Sequence, residues 1–336
     1  MYLVLKKINK KYKINKSAYW IMSLSFIPLI LLTTYVYGDY IGLSLSVVGM
    51  YFLIDYKEKK KLYKFILSAV FMCLSYITKM NYLIVILAEL IYLVMYLLQD
   101  LQEKNVKKII QSIVGIILFA IITLMPYASI KNYCIKKYEY NKEQSLPTSV
   151  WLYIGMSEST RANGWYGQVA SEAWEDTPMS YVTYPQKIKA RIVELIKHPK
   201  YALNFYLKKT ISGWADPYFQ SIWYNVGVED KDIIMSNIMG SKKFKLGEIY
   251  QKALTILIYG CALVVIIKNR KNLNNELILL FTIFIGGVLF HTIWEMKSRY
   301  TLPYIIMLIP VASIGIEEII NEIKNSRKKK LNKGRE

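Results

Sequence analysis

The chain has 336 residues, is 54% hydrophobic and carries a formal charge of +20, from 44 Lys and Arg against 24 Asp and Glu. So basic a balance can signal nucleic acid, but the cations cluster at the flanks of apolar runs, where anionic lipid head groups account for them more simply. Nucleic acid is therefore not an expected partner. Of the three cysteines, Cys73 and Cys261 fall within apolar runs and Cys134 stands alone, so no disulfide framework is implied.

Residues 17–38 are free of charge for 22 positions, about the ~20 that a helix needs to cross a bilayer. The basic stretch before them could open a signal peptide, but the apolar length and the lack of a small-residue cleavage site mark an anchor. Further uncharged or nearly uncharged runs cover residues 40–54, 65–78, 80–99 (interrupted by Glu89), 109–130, 253–267, 277–294 and 300–316. Several are short enough to be buried or re-entrant on length alone, so charge decides. With the N-terminus cytoplasmic and all eight runs crossing, the inner flanks (6–16, 57–64, 104–108, 268–271 and 324–335) hold 24 basic residues, and the short outer turns hold Lys79, Lys297 and Arg299. That is the asymmetry of the positive-inside rule. The expectation is an all-α, polytopic protein of the cell membrane, with about eight transmembrane helices, both termini cytoplasmic and one large extracytoplasmic loop domain. It divides into a five-helix membrane region (1–130), an aromatic-rich loop domain (131–249), a three-helix membrane region (250–318) and a basic cytoplasmic tail (319–336).

Within the long connection the composition turns mixed, and five of the seven Trp residues gather there. Residues 186–197 and 201–211 read as two helices, stopped by Pro199 and Gly213. Asn163-Gly164 ahead of Trp165-Tyr166 is a tight-turn signal that presents two rings at a loop tip. Those rings either stack on a sugar or belong to a core or interfacial belt.

The most specific local pattern is His291-Thr-Ile-Trp-Glu-Met-Lys-Ser-Arg-Tyr-Thr-Leu-Pro303, at the outer turn before the last helix. Ionisable residues at membrane depth are costly and usually have a task or a partner. Arg299 suits a phosphate, because its planar fork donates two parallel hydrogen bonds; equally, Glu295 and Arg299 can pair simply to tie two helices together. Asp39, in the turn Tyr37-Gly38-Asp39-Tyr40, can hold Mg²⁺ or Mn²⁺, hold a basic partner, or be a solvated turn acid. Lys79 shares that surface, as part of a polar site or as a snorkelling residue. Glu89 should face the bundle interior, and His291 reads as a core histidine. Walker loops, dinucleotide-binding glycines, His/Cys metal spacings and nucleophile elbows are all absent from the sequence.

Taken together, Trp-Glu-x-Lys-Ser-Arg-Tyr-x-x-Pro before the last helix and the loop Gly155-Met-Ser-Glu-Ser-Thr-Arg-Ala-Asn-Gly-Trp-Tyr166 resemble bacterial membrane glycosyltransferases of the C-type fold. These are the family 39 relatives of protein mannosyltransferases and aminoarabinose transferases, and Tyr-Gly-Asp fits their second outer loop. The resemblance implies an enzyme that moves a sugar from a polyprenyl-phosphate carrier, in membrane lipid, to a cell-envelope acceptor. It implies Arg299 and Lys297 on the carrier phosphate and Glu295 orienting them; Tyr300 in the same run, Lys79 on the Asp39 surface and the ring pair Trp165 and Tyr166 are further candidate substrate-binding positions. Asp39 takes the family's second acidic position, as the catalytic residue and the candidate ligand for a divalent cation. The family also has an acidic loop after its first helix, and here nothing upstream of Asp39 is acidic. The expectation is an N-terminally truncated copy, an enzyme in which Asp39 serves alone, or a non-catalytic accessory protein that binds lipid-linked sugar. A flippase or transporter ranks last, because no internal repeat is evident.

Overall fold

The computed structural model describes residues 1–8, 11–35, 37–141, 144–225 and 231–333; Lys10 and Arg335 of the basic flanks lie outside them. Among the described residues all regular structure is helical, as apolar segments that must satisfy their own backbone in lipid require. Among the described residues, five helices are long and apolar enough, by length and composition, to cross a membrane: Met80–Gln102, Val106–Lys137, Lys242–Asn269, Asn275–Ile293 and Ser298–Lys328. The first of these joins a single 3₁₀ turn to α6 (Leu83–Gln102), and the others form α7 (Val106–Lys137), α14 (Lys242–Asn269), α15 (Asn275–Ile293) and most of α16 (Ser298–Lys333).

The first apolar run departs from the single helix expected of it. It forms α2 (Lys16–Ser25) and α3 (Ile27–Leu32), parted at Phe26, whose ψ of 86° is not helical. Pro28 supplies the reason: it has no N–H for the Leu24 carbonyl, and its ring would clash there in a continuous helix. Ahead of the break, α1 (Tyr2–Ile8) buries Val4, Leu5 and Ile8.

Next comes a tight hairpin of α4 (Gly38–Lys59) and α5 (Leu62–Thr78). An aspartate stands near each end of α4. Asp55 is tied to Lys7 and Lys64 and lies 3.5 Å from Lys59. Asp39, 16 residues and therefore ~24 Å away along the axis, starts the opposite end. There a side chain on Gly38 would meet the Thr78 carbonyl at 2.8 Å. Glycine thus lets the start of α4 close onto the end of α5, which sets Asp39 beside Lys79.

At the centre of the bundle, 78% of the apolar window of α16 is buried, against 11% for α7, which lies at the edge. Glu89 on α6 is buried as expected, and neither carboxylate oxygen has a hydrogen-bond partner. Between α7 and α14 run six shorter helices: α8 (Thr148–Gly155), α9 (Gln168–Glu175), α10 (Thr177–Lys197), α11 (Pro199–Trp214), α12 (Ser221–Asn225) and α13 (Lys231–Gly240). Helices α8 to α10 share a small core of their own around Val150, Ile154, Ala170 and Tyr184. The helices expected over 186–197 and 201–211 fall within α10 and α11, and α11 packs on α15 and α16.

Candidate functional site

Residues 294–297, between α15 and α16, are held in a non-helical path by contacts reaching across the chain. Trp294 is extended, at φ −93° and ψ 164°. Beyond it, the Met296 amide donates to the Gly164 carbonyl at 2.9 Å. Lys209, on α11, is 1% exposed and donates from Nζ to the carbonyls of Gly155 (2.6 Å), Thr292 (2.9 Å) and Trp294 (2.9 Å). An ammonium has three protons to give, so this one is fully used. Burial pushes the Lys209 pKa down to about 7, while the three carbonyls favour the charged form. Ser298 donates to Asp216 (2.5 Å) and Thr301 to the Gly213 carbonyl (2.7 Å), which fastens the first turn of α16 to the end of α11.

This turn meets the α4–α5 end in one polar cluster. Lys79 Nζ lies 3.2 Å from Asp39 Oδ1 and over the rings of Tyr37 (4.5 Å) and Tyr300 (4.7 Å). The Arg299 guanidinium lies over Tyr37 (4.4 Å), Tyr224 (4.5 Å) and Tyr300 (5.1 Å). Lys297 is 3.7 Å from Glu295 and over Tyr166 at 4.6 Å. Burial pushes the Glu295 carboxyl up and the Lys297 ammonium down, and the charge each faces opposes the shift. Asp39 Oδ2, Glu295 Oε1 and Arg299 Nε are buried with no hydrogen-bond partner.

Seven of the eight candidate site residues read from the sequence thus relate to one cluster: Asp39, Lys79, Tyr166, Glu295, Lys297, Arg299 and Tyr300. The eighth, Trp165, instead lines a separate cavity. The alternative in which Glu295 and Arg299 simply pair is not what forms. Glu295 pairs with Lys297, and among the described residues Arg299 has no carboxylate within ion-pair distance. His291 is buried, with Nδ1 3.1 Å from the Glu295 carbonyl. Tyr37, Tyr224 and Lys209 complete the site and had no local signature; Tyr37 alone stood inside a quoted motif.

Asp39 as a metal ligand fits poorly. Among the described residues no three His, Cys, Asp or Glu side chains gather to hold an ion. The groups nearest the Asp39 carboxylate are cationic, which raises the cost of bringing Mg²⁺ or Mn²⁺ there. No family model, curated protein or solved structure matches this chain. The chemistry has to be argued from the cluster itself.

Proposed function

We propose that this chain is a C-type-fold membrane glycosyltransferase that moves a sugar from a polyprenyl-phosphate carrier to a cell-envelope acceptor. In this reading eight segments cross the membrane, both termini are cytoplasmic, and residues 131–249 stand outside. The observation that carries it is the meeting of Asp39 and Lys79 with Glu295, Lys297 and Arg299, from two turns far apart in sequence, around a guanidinium that, among the described residues, has no carboxylate within ion-pair distance. Ring faces and one long hydrogen bond to Tyr300 (3.4 Å) are weaker company for a buried charge than a carboxylate, and a phosphate is the ligand an arginine fork recognises best.

The chemistry then divides among these residues. Arg299, Lys79 and Lys297 neutralise the carrier phosphate and so improve it as a leaving group. The acceptor oxygen bonds to the anomeric carbon, the carbon–oxygen bond to phosphate breaks, and its electron pair stays on the phosphate. The acceptor proton goes to Oδ2 of Asp39, the carboxylate oxygen that Lys79 leaves open. A second reading, an accessory protein that binds the carrier without turnover, is favoured by one observation: Asp39 is 2% exposed and already tied to Lys79.

The test is binding and turnover by the purified chain. Lysine keeps the charge of Arg299 and loses the fork, so Arg299→Lys should weaken polyprenyl-phosphate binding by about tenfold. Asp39→Asn should keep binding and reduce turnover by roughly 10² to 10⁴. A folded Arg299→Lys variant that binds the carrier as well as the parent would refute the phosphate role. Binding by the parent with no Asp39-dependent transfer would favour the accessory reading.

A further inference from the structure

Trp165 and Tyr166 are neighbours in sequence, with Cα atoms ~3.8 Å apart, yet they serve two different places. Tyr166 lies under Lys297, its ring stacked on Trp151 at 6.1 Å. Trp165 lines a cavity of about 460 Å³ between the end of α8 and the start of α9. The sign of charge changes between them. The cluster at Arg299 is rich in cations, whereas the cavity is lined by Glu158, Glu172, Ser159, Thr160 and Gln168, with no Lys or Arg in its wall.

We propose that this cavity binds a glycan, uncharged or amine-bearing, and that it forms the acceptor side of the site. Its wall has what a sugar needs. Carboxylates accept from hydroxyl groups, side-chain hydroxyls both donate and accept, and an indole offers an apolar face to the C–H side of a pyranose ring. The Trp165 N–H is buried without a hydrogen-bond partner and stands as an unused donor. Glu158 is fixed from behind: Tyr201 donates to its Oε1 at 3.0 Å, and Arg191 donates to Tyr201 at 2.8 Å and to the Met156 carbonyl at 2.7 Å. Glu172 accepts from Gln168 at 3.0 Å. These supports hold the acids in place before any ligand arrives, which lowers the cost of binding. With two carboxylates and no Lys or Arg, the wall disfavours sulfated or phosphorylated ligands, so the cavity and the Arg299 cluster sort ligands by charge.

Glycan binding stands on the cavity; the word acceptor rests on the transferase reading. Binding of neutral, partially deacetylated and sulfated oligosaccharides and of an oligolysine peptide to the purified full chain tests it, with polyprenyl-phosphate binding measured in parallel. Neutral or amine-bearing glycans should bind and sulfated ones should not. Trp165→Leu should weaken glycan binding by about tenfold, the worth of one good ring contact. Thr160 is exposed at the rim, so Thr160→Trp should block the cavity without unfolding the chain. Both variants should keep their polyprenyl-phosphate affinity. Glycan binding without polyprenyl-phosphate binding would sustain the cavity and sink the transferase reading. Carrier binding with no glycan bound, glycan binding indifferent to Thr160→Trp, or a preference for sulfated glycans or oligolysine would each overturn the inference.

Discussion

Replacing Lys209 by Met removes a side chain that ties α11 to both the end of α8 and the turn before α16. The side chain is 1% exposed, and its three hydrogen bonds all go to backbone carbonyls at 2.6 to 2.9 Å. Met keeps the stem and fills the same space but donates nothing. Each carbonyl left without a donor costs ~1–3 kcal/mol. Against this stands the desolvation of a buried ammonium, several kcal/mol that Met no longer incurs. Three such carbonyls come to ~3–9 kcal/mol, and about 3 kcal/mol of recovered desolvation set against the middle of that range leaves a net loss of ~3 kcal/mol. At ~2–4 °C per kcal/mol for chains of about 150–250 residues, and less for a longer one, the melting temperature should fall by at most about 6–12 °C. Intrinsic tryptophan fluorescence during thermal unfolding of the purified protein would measure this. Gly164→Ala should act in the same direction: Gly164 sits at φ +76°, and a Cβ there would come within 2.5 Å of Lys209 Cε. A Lys209→Met protein that melts within ~2 °C of the parent would show that the tether contributes little.

Glu295→Gln should raise affinity for a polyprenyl phosphodiester by roughly threefold to tenfold, by removing a negative charge from the cluster. Because burial holds the Glu295 carboxyl above its ordinary pKa, the folded chain takes up this proton sooner than the unfolded one as pH falls. Stability from this group therefore grows on acidification through that window and is lost as pH rises through it. Phosphodiester binding should likewise tighten on acidification, and titrations at several pH values should show that dependence in the parent and not in Glu295→Gln. For topology, Cys134 is exposed while Cys73 and Cys261 are buried, so an impermeant maleimide should label the parent in intact cells. Cys134→Ser with Asn272→Cys should stay unlabelled until the cells are opened; labelling before that would sink the proposed orientation.

The helices were legible because charge-free runs need little interpretation: 80–99 and 277–294 appear as Met80–Gln102 and Asn275–Ile293. The break at Phe26 was legible in principle from Pro28, but 22 uncharged residues outweighed it. Much of the site was also legible, because Lys79, Lys297 and Arg299 stand where the charge pattern disfavours cations. That the two turns meet was not. It depends on the close approach of Gly38 to Thr78 and on the α15–α16 packing, neither of which has a local signature. Lys209 escaped notice for a related reason. On an amphipathic helix a lysine reads as a solvated residue, and its acceptors are carbonyls far away in sequence. Tyr224 was hidden by number, since the chain has 29 tyrosines and nothing local separates it from the rest, and Tyr37 stood in the Tyr-Gly-Asp turn without a role of its own.

The surroundings of Arg299 bear most directly on what the cluster can do. An arginine needed only to bind two helices together would pair with a carboxylate, and Glu295 is four residues away. Here Glu295 is matched by Lys297 and Asp39 by Lys79, while Arg299 is framed by the faces of Tyr37, Tyr224 and Tyr300. Ring faces attract a cation by ~0.5–2 kcal/mol each, enough to fix its position, and they leave its charge and most of its donors unspent. Carboxylates would have fixed it equally well and cancelled it. A guanidinium held by rings is therefore oriented and still positive, the condition under which an incoming anion gains most from meeting it, and on the proposed reading that anion is the carrier phosphate.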